Sequence, residues 1–279
     1  MKKTLLFAAF LPLCLMACTE KKAPETLKLM SYNIRYGTAD DGDHVWENRK
    51  EAAAAMVLDQ RPAAFGVQEA LDFQLEYLQE NCPGYKYVGV GREDGVSEGE
   101  HMAVFYDSER VELENWGTYW LSETPEEPSF GWDAACKRTA TWTLLHDKLY
   151  DKHFYFVNTH LDHVGQEARR NGLILLVERI GAMNPEGYPM ALCGDFNVYP
   201  DDPCLTDLRS LLLDAREEAP VTDNEVTWHD WGKVSGTPPI DYIFFKGFQA
   251  AESFQRVTQE YEGRPYVSDH YPVTAVLVY

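Results

Sequence analysis

Strand-like runs of this chain come partly in adjacent pairs and partly singly between helices, and that mixture decides which sheets it can build. Leu27 to Ile34 alternates apolar and polar residues before running into Arg35-Tyr36-Gly37, as a strand does on entering a loop. The Ala-rich stretch from Glu47 to Leu58 predicts a helix stopped by Pro62. Ala63 to Val67 predicts a short buried strand ending at Gln68-Glu69, and Phe73 to Gln79 a second helix. Met102 to Tyr106 and Val111 to Trp120 predict successive strands joined at Asp107-Ser108-Glu109, while Thr139 to Leu145 and Phe154 to Thr159 predict a hairpin. The longest helix is expected from Gln166 to Ala182, where Leu173, Leu176, Val177 and Ile180 fall on one face. Met190 to Cys193, Ile240 to Phe245 and Pro272 to Val278 complete the strands. A doubly wound parallel sheet requires stricter alternation than this. The pattern fits an α/β fold of two mixed sheets packed face to face, with helices outside.

The first residues stand apart from that fold. Lys2 and Lys3 precede an apolar run from Leu5 to Met16, too short for an ordinary membrane span but suited to a signal-peptide core. Leu15-Met16-Ala17-Cys18 resembles a bacterial lipobox, the other reading being an ordinary secretory signal cut near Ala17. The expected organisation is a signal peptide over 1–17, a lipid-anchored tether over 18–26 attached through Cys18, and one domain over 27–279. The chain is then an exported, membrane-anchored lipoprotein facing the periplasm or the cell surface, expected to be monomeric. Cys82, Cys136, Cys193 and Cys204 show no CxxC spacing, and Cys193 reads as a small buried hydrophobe within a strand.

Charge narrows the partners. With 25 basic and 45 acidic residues the formal charge is −20, which repels polyanions at long range and leaves no basic stripe for duplex nucleic acid. A nuclease is not thereby excluded, because a bound metal and a few arginines reverse the field locally.

The informative polar residues lie where strands give out. Asn33, Glu69, His160, Asp195, Asn197, Asp241 and the Asp269-His270 pair each fall near a predicted strand end, where a rigid scaffold can gather side chains into one cleft. Carboxylate and amide oxygens are hard ligands suited to Mg²⁺ or Ca²⁺, and histidines beside them handle protons near neutral pH.

Six short segments in order carry a resemblance: Ser31-Tyr32-Asn33-Ile34-Arg35, Val67-Gln68-Glu69, Asn158-Thr159-His160-Leu161-Asp162, Gly194-Asp195-Phe196-Asn197, Ile240-Asp241-Tyr242-Ile243 and Ser268-Asp269-His270-Tyr271-Pro272-Val273. Together they resemble the motif set of the endonuclease/exonuclease/phosphatase superfamily, over roughly residues 27 to 279. The resemblance implies a four-layer α/β sandwich and metal-dependent hydrolysis of phosphate esters. It implies that Glu69 is the principal metal ligand, with Asn33 nearby and Asp269 completing the shell, for Mg²⁺ or alternatively Mn²⁺ or Ca²⁺. Asp195 would position or deprotonate the attacking water, and Asn197 would hold a phosphate oxygen. His270 would meet the scissile phosphate, oriented and kept cationic by Asp241. His160 would be a second site histidine oriented by Glu100, and Arg138 a phosphate-binding group. Arg35 departs from the abasic-site enzymes, which carry an acidic residue there, and lies closer to the deoxyribonuclease branch. Trp116 to Pro125, with Gly131-Trp132-Asp133, resembles exported bacterial members.

Blander readings stand beside these. His44, His101, His146, His153 and His229 match none of the segments and read as packing or surface groups, whereas His163 could border the cleft. Trp228 suits either core packing or stacking on a substrate ring, and Arg138 suits either phosphate or a surface salt bridge. The expected substrate is a phosphate ester: nucleic acid, a lipid head group, or a sugar or inositol phosphate. The rival class is a non-catalytic surface binding lipoprotein on the same fold.

Overall fold

The computed structural model describes residues 23–279, so the expected leader, the lipidation site Cys18 and the start of the tether lie outside the described residues. In chain order the elements are β1 (Thr26–Asn33), α1 (Trp46–Gln60), β2 (Ala64–Gln68), α2 (Asp72–Asn81), β3 (Tyr85–Val88), β4 (Val104–Asp107), β5 (Val111–Trp120), β6 (Thr139–Asp147) and β7 (Lys152–His160). There follow α3 (Gln166–Met183), β8 (Met190–Asp195), β9 (Leu213–Asp214), β10 (Val221–Thr222), β11 (Asp241–Lys246), β12 (Ala250–Arg256) and β13 (Val273–Val278). One sheet runs β10-β12-β13-β1-β2-β4-β3 and the other β5-β6-β7-β8-β11-β9. Both are mixed, as the strand pattern predicts: β1 pairs β2 in parallel and β13 antiparallel, while β8 pairs β7 in parallel and β11 antiparallel.

Side-chain alternation sorts the core into three seams. Between the sheets, Leu27 and Leu29 of β1 and Ala275 of β13 meet Phe154 and Phe156 of β7 and Phe245 of β11. Outside the first sheet, Tyr32, Phe65 and Val67 pack on Ala53 and Val57 of α1 and Leu75 of α2. Outside the second, Val157, Leu192 and Phe244 pack on Leu173, Leu176 and Ile180 of α3. The result is the four-layer helix–sheet–sheet–helix sandwich. Helix ends follow from local chemistry: Arg61 takes a left-handed φ of 43° just past α1, before Pro62. The first turn of α3 is capped from another loop, where Asp133 accepts the Ala168 N–H at 2.7 Å and the Glu167 N–H at 3.3 Å.

A polar tie crosses the otherwise apolar space between the sheets. Asn158 of β7 donates to the carbonyls of Val67 (2.8 Å) and Ala103 (2.9 Å), and its Oδ1 accepts from Gln68 Nε2 at 2.6 Å. Gly66 makes room for it, because a Cβ there would stand 2.5 Å from the Asn158 side chain and 2.6 Å from Cys193 Sγ. Every polar atom of Asn158 is thus paired inside a low-dielectric layer, which fixes how the sheets face one another.

Both sheets present the same edge to the chemistry. The carboxyl ends of β1, β2, β7 and β8 and the amino ends of β11 and β13 come together there. Asp195, the last residue of β8, is in register with His160 on β7 and with Asp241 on β11. Three site residues therefore share one rung of the second sheet.

Candidate active site

A cleft of about 500 Å³ opens over that edge, walled by Arg35, Glu69 and Asp269 on one side and by Arg138, His160 and His163 on the other. Asp195, Asn197 and His270 also line it. All the expected site residues except Asn33 and Asp241 thus line a single cleft; Asn33 and Asp241 lie just beneath it, hydrogen-bonded to residues that do.

Glu69 follows β2 in a left-handed conformation (φ 61°), uncommon for a residue with a side chain and held here by its partners. Its Oε1 accepts from Asn33 Nδ2 at 3.0 Å and its Oε2 from the Tyr36 N–H at 2.9 Å. The second N–H of Asn33 reaches across to Asp195 Oδ2 at 3.0 Å and joins the two sheets at the cleft floor. Asn33 Oδ1 accepts the Arg35 N–H at 3.0 Å. The expectation that Asn33 stands near the metal therefore takes a specific form: its amide ties two carboxylates together and its oxygen is turned to the backbone. Behind these loops, the buried Arg49 guanidinium donates to the carbonyls of Ile34 (2.6 Å), Val267 (3.1 Å) and Arg35 (3.2 Å). It also lies against the Trp46 and Trp231 rings. Nothing in the sequence singled Arg49 out, because its partners are main-chain oxygens.

The carboxylates form an unbalanced group. Asp195 is buried and its pKa is raised by that burial and by the neighbouring Asp241, against the opposing pull of His270. Burial raises Asp269 as well, with Glu69 adding to it. Arg35 balances little of this, since it stands 3.7 Å from Asp269 while its fork is bound to Asp41 at 2.9 and 3.0 Å. One oxygen or nitrogen each of Glu69, His160 and Asp195 lies within 4.8 Å of the others, a donor set that fits a divalent cation.

The two histidines are in opposite electrostatic states. His270 Nδ1 is 2.8 Å from Asp241 Oδ2, leaving Nε2 3.8 Å from Asp195 Oδ2. Burial alone would lower its pKa, but Asp241, Asp195 and Asp269 outweigh it and push it up to about 10. Asp241 is itself steadied by Thr227, whose Oγ1 accepts the Ile240 and Asp241 N–H groups at 3.0 and 3.2 Å. His160 is held well below the usual imidazole range by burial and by the charges of Arg138 and Arg92.

Two expected roles change on this geometry, and the surface alternative for Arg138 falls away. Glu100 lines the cleft, but its carboxylate binds Arg92 Nη1 at 2.8 Å, and His160 Nδ1 has no hydrogen-bond partner among the described residues. Arg92 wins because the same hairpin delivers it: its N–H bonds the Glu100 carbonyl at 3.0 Å. Asn197, in a left-handed turn (φ 52°), donates through Nδ2 to the Leu161 carbonyl and to His160 Nε2, both at 3.0 Å. With both amide protons committed, it fixes His160 and meets a phosphate oxygen only by giving one of them up. Arg138 is no surface residue. It is buried against Asp162 at 3.2 Å and against His163 Nδ1 at 3.0 Å. Asp162, a motif residue with no assigned role, also accepts the N–H groups of Val164 and Gly165 and so ties down the cleft wall.

The Endonuclease/Exonuclease/phosphatase family model matches residues 30–270, which takes in five of the six segments whole and the sixth as far as His270. This chain belongs to the Endonuclease/Exonuclease/phosphatase family. Family members are phosphoesterases, so the cleft is that of a phosphoester hydrolase fold. An Endonuclease/Exonuclease/phosphatase protein of Bacteroides vulgatus superposes with a TM-score of 0.86 at 33% identity, covering 91% of this chain and 98% of that one. The mannosyl-6-phosphatase of Bacteroides thetaiotaomicron superposes with a TM-score of 0.85 at 33% identity, covering 91% of this chain and 100% of its own. An uncharacterized protein, L388, of Acanthamoeba polyphaga mimivirus is 25% identical over 269 residues, 90% of this chain and 99% of the viral protein.

Proposed function

We propose that this Endonuclease/Exonuclease/phosphatase protein hydrolyses phosphomonoesters of small, ring-bearing molecules, sugar phosphates above all, with Mg²⁺ as the natural ion and Mn²⁺ as a substitute. The observation that carries the reading is the meeting of Glu69, Asp195 and Asp269 with the Asp241–His270 pair over one small cleft. Its volume suits a small ligand. The chain's net charge of −20 disfavours a long polyanion. The likeness to a mannosyl-6-phosphatase supports the monoester over the diester.

Glu69 and Asp269 would hold the ion, with Asp195 and His160 beside it. When bound, the ion supplies Lewis-acid stabilisation of the charge that builds on phosphoryl oxygens. Asp195 orients the attacking water and takes its proton, a task helped by the raised affinity of its buried carboxylate. His270, held cationic, presents Nε2–H to a non-bridging oxygen. Arg35 and Arg138 flank the phosphoryl group from the two walls, and Trp228, which is 39% exposed at the cleft, offers its face to the leaving group's ring. His160 stays neutral and shapes the floor.

Phosphate release from mannose 6-phosphate, glycerol phosphate and bis-p-nitrophenyl phosphate tests this. With Mg²⁺, kcat/KM should be highest for the hexose ester. Trp228→Ala should cut that value about fivefold while barely touching glycerol phosphate, since one aromatic stack contributes about 1 kcal/mol. A preference for the diester, or equal losses on both monoesters, would remove the assignment. Turnover of no ester with any divalent ion would leave a binding protein on the same scaffold.

We further propose that this hydrolase acts outside the cytoplasm on a lipid anchor, a reading supported by the apolar run from Leu5 to Met16 and by Cys18 after Leu15-Met16-Ala17. Labelled palmitate should enter the native chain and not Cys18→Ser. Equal labelling of both would end that part of the proposal.

A further inference from the structure

A second group of metal-binding side chains lies at the far end of the second sheet from the cleft. His146 of β6 and His153 of β7 are direct cross-strand partners, and their rings stack with centroids 4.6 Å apart and planes 17° from parallel. Glu114 of β5 joins them, with Oε1 3.0 Å from His153 Nε2. One ligand atom from each of Glu114, His146 and His153 lies within 4.8 Å of the other two. Asp151, in the turn joining β6 to β7, meets His146 Nε2 at 2.8 Å, and Tyr188 stacks on His153 at 5.2 Å.

The backbone is arranged to bring the carboxylate in. The β5–β6 register is regular except between Leu113 and Asn115, so Glu114 is the extra residue of a β-bulge. Glu112 is the register partner of His146, so alternation along β5 sets Glu114 on the face of the two imidazoles, and the bulge leaves it without a partner of its own on β6. All three side chains are partly or fully exposed, so an ion can reach them without opening the fold. His153 and His160 mark opposite ends of β7, about 23 Å apart at the rise of a strand, so this group is separate from the catalytic residues.

We propose that Glu114, His146 and His153 form a binding site for a first-row transition ion of the Zn²⁺ class. Two imidazole nitrogens and one carboxylate oxygen select such an ion over Mg²⁺, which prefers oxygen ligands such as the carboxylates of Glu69 and Asp269. Asp151 is the outer carboxylate that fixes the His146 ring, the usual companion of a metal-bound imidazole. Because β5 is the edge strand of its sheet, an ion shared among β5, β6 and β7 would clip that edge to its neighbours.

The test is Zn²⁺ titration into the full chain with Mg²⁺ in excess, read by competition with a chromogenic chelator and by the thermal midpoint. The native chain should take up one more equivalent than H146A/H153A and should melt higher when it does. Glu114→Gln, a milder change, should bind that equivalent at least about tenfold more weakly. Phosphatase activity with Mg²⁺ should be the same in all three proteins. Equal Zn²⁺ stoichiometry and affinity in the native chain and Glu114→Gln, or in the native chain and a folded H146A/H153A, would overturn the site.

Discussion

Glu69→Gln should lower kcat/KM for a phosphate ester by about 10³-fold, the scale of losing a charged group that meets transition-state charge. The substitution keeps the shape and removes one negative charge from the cleft. It also breaks a hydrogen bond, because both Glu69 oxygens are acceptors, one from Asn33 Nδ2 and one from the Tyr36 N–H. A glutamine must turn its NH₂ toward one of those donors. The left-handed backbone at residue 69 then loses one of the contacts that hold it. Rates measured across a Mg²⁺ series should show a weaker metal dependence together with a lower ceiling. A variant that stays within tenfold of the native chain at every Mg²⁺ concentration would remove Glu69 from the centre of the mechanism.

Asp241→Asn should cost up to about 10⁴-fold in kcat near neutral pH, the scale for a histidine that loses its orienting carboxylate. It should also change the pH profile in a definite direction. His270 is raised from its ordinary 6.5 to about 10, since burial's downward pull is outweighed by Asp241, Asp195 and Asp269. A raised value means that the imidazolium persists through neutrality and is lost as pH climbs through about 10. The stability that this pair lends the fold is accordingly complete below about 6.5 and fades between there and about 10. Replacing Asp241 by a neutral amide removes the largest upward influence, so the alkaline limb of kcat/KM should move toward neutral pH. The His270 ring can be followed independently by its NMR shifts. An alkaline limb unmoved by the substitution would show that His270 is not the group that must stay protonated.

Much of this geometry is legible in the sequence, for a physical reason. Long alternating runs with one wet face announce themselves, and Val111–Trp120 is a strand over the residues the pattern predicts. Tyr85–Val88 is too short for its period to register. Ala250–Arg256 hides because the register slips between Ala251 and Ser253, which breaks the alternation that betrays a strand. The ordered motifs mark residues that line the cleft or lie just beneath it. What they cannot reveal is competition among partners. Glu100 has one carboxylate to give and two candidate partners in the motif set and its own hairpin, and only the fold decides for Arg92 over His160. The same limit hides Arg49, which binds carbonyls that every sequence possesses. The motifs suggest an orienting carboxylate for each histidine. The fold sets Asp241 on His270 Nδ1 at 2.8 Å, whereas His160 Nδ1 has no partner among the described residues and Asp195 stands 3.5 Å from its Nε2.

The shared rung of His160, Asp195 and Asp241 has a consequence for how such an enzyme can diversify. Because a strand's side chains alternate, a one-residue slip of β8 would swing Asp195 out and a core residue in. The relative placement of these three side chains is thus inherited from the ladder of main-chain bonds, under the same selection that keeps the protein folded. The side chains of Trp228, His163 and Arg35 stand at the cleft outside that ladder, so they can be exchanged without moving the rung beneath.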